Sequence, residues 1–274
     1  MDDFFTQNAA WHEKIEQIYA LLECVKISEG YSADVLHLRK IIRILSIGSH
    51  IAIDDNLSRA EMLKSITARL CEHHHFNLSL SQVCDVINGK PILAPSKDIE
   101  EVQNVYATYE LILKSNPYSV DDFLTAHRYI TSKLNEGGRF RTGRGFVEND
   151  KGDILHEGAD FNNIPILVSE LFACGKHSDV HPLIKSSIIH FMIEDIHPFS
   201  DGNGRIGRLW QTLVLTKWNV LFWWIPVENI IYNNREKYNE SLQRSYDNTG
   251  KVDCAPFIGF MLDVLIDTIR KCCW

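Results

Sequence analysis

His197-Pro198-Phe199-Ser200-Asp201-Gly202-Asn203-Gly204-Arg205-Ile206-Gly207-Arg208 lies between two stretches whose apolar residues recur at helical spacing, about 181 to 196 and 204 to 217. Pro198 disfavours helix for the residue before it, so the first helix should end near His197 and leave that imidazole at a terminus facing a loop. Gly202-Asn203-Gly204 can take positive φ or let the backbone approach a ligand closely, and this run opens the second helix. Backbone N–H groups at such a helix start converge on an anion. A titratable base, a carboxylate, a glycine-rich helix start and two arginines therefore stand together, which is the composition of a polyphosphate site with a proton acceptor beside it.

Outward from this turn the same helical periodicity continues, for example in Ile15, Ile18, Leu21 and Leu22 and again in Leu38, Ile41, Ile42 and Leu45. Further helices are predicted at about 59 to 75, 79 to 88, 97 to 115, 119 to 133, 162 to 175, 234 to 248 and 254 to 271, and alternating strand patterns are nearly absent. The fold class is all-α. One segment departs from it. Between Phe140 and Asp160, Phe146-Val147 and Ile154-Leu155 flank a centre rich in turn formers, Asn149-Asp150-Lys151-Gly152-Asp153, which reads as a β-hairpin on a helical body. A loose connector fits the same composition. With no repeat, low-complexity tract or linker, the chain reads as a helical extension over 1–96 followed by a core over 97–274.

At 274 residues and 45% hydrophobic, the chain can bury a large core. The formal net charge of -8 argues against a nucleic-acid or anionic-membrane surface, which needs a basic face. The 7 cysteines are scattered without CxxC spacing and suit reduced thiols. The acidic start, Met1-Asp2-Asp3-Phe4-Phe5, lacks a secretory pattern, and the apolar run from Val220 to Val227 is too short to span a bilayer. These features predict a cytoplasmic protein.

Arg205 and Arg208 fall in the first turn of the second helix, where the macrodipole disfavours cations by roughly 0.3–1 kcal/mol, a cost that a bound anion offsets. Three residues apart, they share a face and suit phosphate oxygens approached from two directions. Asp201 would repel a phosphate unless a cation stood between them, and Mg2+ bridging Asp201 to a nucleotide is the simplest arrangement. Phe199, apolar among polar neighbours, anchors the loop in the core.

The run His197 to Arg208 resembles the signature of Fic-domain proteins, HPFxDGNGRxxR, at every specified position, and Gly138-Arg139-Phe140-Arg141 is similar to that family's GxFR element. The looser likeness extends from about Leu36 to Leu265. What the resemblance implies is transfer of AMP from ATP to a hydroxyl side chain (Ser, Thr or Tyr) of a protein target. His197 would be the general base and Asp201 the Mg2+ ligand. Gly202, Asn203 and Gly204 would form the anion hole within an ATP-binding run that continues through Arg205, Ile206, Gly207 and Arg208. The segment 142 to 158 would be a flap that holds the target by strand addition. Asn239 falls where relatives contact the nucleoside, with Tyr238, Leu242 and Tyr246 as candidate adenine-pocket walls, although a plain amphipathic helix explains those three equally well. The implied partners are ATP, Mg2+ and a protein target, with a homodimer left open.

Relatives with an inhibitory helix carry (S/T)xxxE(G/N), whose glutamate pairs with the second signature arginine. The corresponding stretch here is Ser49-His50-Ile51-Ala52-Ile53-Asp54-Asp55-Asn56, an imperfect match with Asp54 in place of the glutamate, His50 in place of Ser/Thr and Asp55 in place of Gly. Asp54 is one methylene shorter, so pairing with Arg208 needs a closer helix or a water bridge and any restraint should be weaker; a solvated helix end accounts for it as well. Residues 57 to 76, ending in His73-His74-His75, read as an inserted helix, and adjacent histidines point around a helix in different directions rather than at one metal. Two other readings use the same site: removal of AMP, or transfer of another phosphate-containing group, and a catalytically silent nucleotide-binding module. The last needs the anion hole but not the base.

Overall fold

The computed structural model describes residues 1, 5, 8–28, 80–131, 137–148, 154–223, 225, 227, 231, 234–246 and 252–272. Asp54 with its stretch 49 to 56, the inserted segment 57 to 76 and the hairpin tip 149–153 lie outside the described residues.

Among the described residues the helices are α1 (Ala10–Ser28), α2 (Leu80–Ile87), α3 (Ser96–Ile112), α4 (Val120–Ile130), α5 (Ile164–His177), α6 (Pro182–Ile196), α7 (Asn203–Trp218), α8 (Arg235–Arg244) and α9 (Ala255–Cys272). The fold is helical with one antiparallel hairpin, β1 (Phe146–Glu148) on β2 (Ile154–Glu157), in the register Phe146 to Glu157 and Val147 to His156. Two local features were not expected. A 3-10 turn, Val220–Trp223, follows α7. And α8 stops at Arg244 rather than near 248, because Tyr246 turns out to form an isolated antiparallel bridge with Val252.

Helix ends follow local chemistry. Ser119 caps α4 by accepting the Asp122 N–H at 3.2 Å, with Asp121 and Asp122 favoured in the first turn. Pro182 opens α6 at the position where a missing N–H costs nothing, and the His181 ring accepts from the Leu183 N–H at 3.2 Å.

The paired helices α6 and α7 form the axis of the fold. α6 is apolar nearly all round, as a helix buried on every side must be. Ile188 and Phe191 face a core shared with Ile18 and Leu22 of α1 and Phe257, Met261 and Leu265 of α9. Ile189 and Ile193 face a second core with Phe123 of α4, Phe172 of α5 and Trp210 of α7. Each such side chain stabilises by about 1.5–3 kcal/mol on full burial. Three of the polar side chains on α6 are satisfied within the helix pair: Ser186 and Ser187 hydroxyls donate to the Leu183 carbonyl, and His190 Nδ1 meets Gln211 Oε1 of α7 at 2.7 Å. The signature run is thus the connection between two rigid, buried helices, and what it presents is fixed by them.

Candidate functional site

α6 ends at Ile196, and its C-cap His197 adopts the left-handed conformation, φ 50° and ψ 59°. Among the described residues it is the one non-glycine with positive φ. A side chain there is strained by about 1–2 kcal/mol, so the surroundings must hold it. They do so through the carbonyls that a helix C-terminus leaves without intrahelical partners. Arg141 Nε donates to the His197 carbonyl at 2.7 Å, Nη2 to the Ile196 carbonyl at 3.3 Å, and the Arg141 N–H to the Pro198 carbonyl at 3.0 Å. Further donors come from the other end of the hairpin: the Ala159 N–H to Ile196 at 3.2 Å, and the His156 ring against the Asp195 carbonyl at 2.8 Å. Arg141 also binds the Gly143 carbonyl at 2.6 Å and that of Ala159. Both roots of the hairpin are therefore fastened to the last turn of α6, with a cation where the helix dipole favours one. Gly158 is required there: a Cβ would lie 2.6 Å from His197 Cβ and 3.1 Å from the Ile196 carbonyl oxygen.

His197 Nδ1 is buried short of a well-formed hydrogen bond, with the Glu194 carbonyl acting on it. Burial lowers the imidazole's pKa, opposed by the Glu194 carboxylate and reinforced by Arg141 and His156. The ring is neutral at pH 7, the form in which a histidine accepts a proton.

The loop that follows is held by side chains of its own. Asn203 uses its amide to accept the Phe199 N–H at 2.9 Å and to donate to the Phe199 carbonyl at 2.8 Å, so only its main chain remains for an anion. Gly202, φ 78°, has no room for a side chain: a Cβ would stand 2.7 Å from Thr131 Cγ2. His127 of α4 joins two distant segments, accepting the Gly138 N–H on Nδ1 at 2.9 Å and donating from Nε2 to the Asp201 carbonyl at 2.9 Å, while its ring stacks on Phe199 with centroids 3.5 Å apart. The bond accepted from Gly138 requires the neutral ring, whereas the one donated to Asp201 would survive protonation.

Burial, chiefly, lowers the His127 pKa from 6.5 to about 4. Between those values the unfolded chain binds a proton that the folded chain refuses. Stability therefore falls as pH drops through this window, by about 3 kcal/mol when complete. Urea midpoints measured from pH 7 to 4 should fall less steeply for His127→Gln, which keeps a donor and an acceptor without titrating; parallel curves would refute the assignment.

Asp201 is 57% exposed at its side chain; Oδ2 pairs with Arg205 at 3.1 Å and Oδ1 accepts the Gly202 N–H at 2.6 Å. The two arginines are held differently. Arg205 folds back to Asp201 and to the Ile130 carbonyl at 3.3 Å, whereas Arg208 is 3% exposed and its charge acts on Glu194. The Ile206 side chain belongs to the core. Gly207 faces α6, where a Cβ would lie 2.9 Å from the His190 ring. Neither offers a side chain to a nucleotide, so any contact from them is made by the backbone.

On α8 Asn239 is exposed. Tyr238 is 5% exposed, its hydroxyl donates to Glu194 Oε1 at 3.0 Å, and its ring packs on His190 and Phe257. Leu242 packs against the first core, and Tyr246 stacks on His156 at 4.9 Å and lies against Phe191.

As to the metal, no group of three or more His, Cys, Asp or Glu side chains among the described residues is arranged to hold an ion. Asp201 offers a single exposed carboxylate. That donor set suits Mg2+ taken up with a substrate's phosphates, since Mg2+ is commonly held by one or two carboxylates plus phosphate oxygens, and does not suit an ion caged by protein alone. No described helix is long and apolar enough to cross a membrane.

The profile of the Fic/DOC family matches residues 117–215, from the N-terminal side of α4 through most of α7. A Fic family protein from Desulfovibrio desulfuricans G20 superposes with a TM-score of 0.81 at 30% identity, covering 99% of this chain and 76% of the other. A Fic domain containing signaling protein from Bacteroides thetaiotaomicron VPI-5482 shares the fold at 17% identity, with a TM-score of 0.69 and coverage of 94% and 95%. The protein adenylyltransferase Fic of Nematostella vectensis is 28% identical over 199 residues, 67% of this chain and 42% of that one. That of Culex quinquefasciatus is 27% identical over 210 residues, 72% and 39% respectively, so the chain spans about two fifths of the length of these curated relatives. With a signature run complete from His197 to Arg208 on a helical body matched over nearly its whole length, the chain belongs to the Fic family.

Proposed function

We propose that this chain is a protein adenylyltransferase that moves AMP from ATP to a side-chain hydroxyl of a protein target. The observation that carries this reading is the junction of α6 and α7, where a neutral histidine held in a strained conformation adjoins the N-terminus of a helix. A nucleotide binder has use for the helix start alone; the strained, neutral base next to it fits a proton transfer.

In this reading the N–H groups at the start of α7 receive the phosphates, and Arg205 and Arg208 neutralise them. A Mg2+ ion held by Asp201 would supply charge neutralisation on the same oxygens. The target hydroxyl oxygen forms a bond to the α-phosphorus as its proton passes to His197, the α–β phosphoanhydride bond breaks, and pyrophosphate leaves. Nε2 is the nitrogen that takes the proton, because Nδ1 is buried. The hairpin β1–β2, rooted beside His197, would align the target by strand pairing with little selection of side chains. Asp54 is the proposed restraint, acting on Arg208.

Intact-mass spectrometry of the purified chain incubated with Mg2+ and ATP, alone and with lysate proteins, tests the reading. An added adenylate on the chain or on a target is expected, stronger in Asp54→Gly. Equal labelling in that variant removes the restraint. ATP bound without transfer to any protein removes the activity.

A further inference from the structure

Glu194 was not singled out by any motif, yet it occupies the middle of a polar cluster at the end of α6. It lies one turn before His197 on α6, and its side chain is 14% exposed. Oε1 accepts from the Tyr238 hydroxyl at 3.0 Å and stands 3.6 Å from His190 Nε2. Tyr238 and His190 are themselves 3.1 Å apart, and His190 Nδ1 is tied to Gln211 at 2.7 Å. The close approach of α7 at Gly207 leaves Oε1 only 3.6 Å from where a Cβ would be. A carboxylate enclosed in this way by three helices has its position fixed by its partners, and in a low-dielectric surrounding its charge acts strongly on its neighbours.

We propose that Glu194 is a positioning residue for the base: its carboxylate, seated by Tyr238 and His190, is the counter-charge for the imidazolium that forms when His197 takes the substrate's proton. The balance is that of the transfer step itself, the hydroxyl proton residing on His197 and the negative charge of Glu194 remaining in place, as the carboxylate of a serine-protease triad does for its histidine. The inference rests on His197 being the base.

Burial alone would raise the Glu194 pKa, but the adjacent His190 ring and the charges of Arg208 and His197 outweigh it and hold the carboxyl below its usual range. The groups that face it are His190 and His197 from α6, Arg208 from α7 and Tyr238 from α8, with Tyr246 also within its field. Those that face His197, besides Glu194, are Arg141 at the hairpin root and His156 on β2, both of which oppose protonation.

Glu194→Gln preserves the shape and the acceptor for Tyr238 while removing the charge. Followed by NMR of labelled histidines, with His197 assigned by its loss in His197→Ala, the His197 pKa should move down in Glu194→Gln. It should stay close to the wild-type value in Tyr238→Phe, which removes the hydroxyl and keeps the charge. The rate of adenylate transfer at neutral pH should drop about tenfold in Glu194→Gln, as a general base weakened but not removed would give, with nucleotide affinity little changed. An unmoved His197 titration, or an equal shift in Tyr238→Phe, overturns the proposal. If Glu194→Gln does not fold, the wild type still decides: the Glu194 side-chain carboxyl resonance should show an inflection at the pKa of His197, and its absence overturns the coupling. These titrations need no enzymatic turnover, so coupling without adenylate transfer would reject the proposed activity alone, and transfer without coupling would reject Glu194 alone.

Discussion

His197→Ala should lower adenylate transfer by about 10²–10⁴-fold, the range that a well-placed general base contributes. The substitution removes the imidazole but leaves the fastening of α6 intact, because Arg141 engages the carbonyl of residue 197 and not its ring. Alanine at φ 50° carries a strain similar to that of histidine, so the urea midpoint should change little. Nucleotide affinity should also hold, since the phosphates are assigned to the start of α7 rather than to His197. Loss of rate with binding and stability retained is thus the expected combination, read by labelling with α-labelled ATP beside calorimetry. The pH dependence of the wild type adds a second check. Burial lowers the His197 pKa, so the neutral, proton-accepting form already dominates above the ordinary histidine value. The rate should rise with pH along an acid limb below about 6.5 and be level from neutrality upward as far as this group is concerned. Transfer by His197→Ala at the wild-type rate would exclude the histidine as base, and an acid limb centred above neutrality would exclude the environment described for it.

Much of the fold and the centre of the site could be read directly from residue order, for reasons visible in particular positions. Pro198 forced α6 to end where it does, Gly202 marked a left-handed position at the start of α7, and the polar turn between Phe146-Val147 and Ile154-Leu155 marked the hairpin. These are local effects, and each is written within a few residues. What escaped the sequence acts across it. His127 joins Gly138 to Asp201 over separations of 11 and 74 residues, and Glu194 meets Tyr238 across 44. Nothing near His127 distinguishes it from a histidine on an ordinary amphipathic helix, and Glu194 reads as a polar residue near a helix end. The packing of Tyr238 was equally invisible: its spacing with Leu242 and Tyr246 suited a pocket wall and a packed face alike, and its ring contacts are with His190 of α6 and Phe257 of α9. The spacing of Arg205 and Arg208 likewise placed both on one side of α7 without revealing that one folds back to Asp201 and Ile130 while the other is buried.

Arg141→Met should destabilise the chain by about 3–5 kcal/mol, because it takes the donor from two carbonyls beside the base at once, those of His197 and Ala159. The guanidinium, 5% exposed, serves the carbonyls of His197, Ile196, Ala159 and Gly143. Ile196 retains the Ala159 N–H and Gly143 is exposed enough for water to replace its partner, so the penalty falls mainly on His197 and Ala159. Lysine in this position should recover little, since a single ammonium cannot reach carbonyls on both sides of the planar fork. The neighbouring Arg144 provides the contrast: its bond to Glu157 at 2.7 Å is formed with side chains 68% and 47% exposed, and Arg144→Ala should cost at most about 1 kcal/mol. Urea unfolding of the three variants measures the difference, and an Arg141→Met midpoint close to that of Arg144→Ala would show that the carbonyls find other donors. Since the same bonds hold both hairpin roots and the strained carbonyl of His197, the exchange should also speed proteolytic cleavage within 142–158 and reduce transfer by more than the folded fraction accounts for. A loss of activity that merely tracks unfolding would mean that Arg141 supports the helix end without setting the geometry of the base.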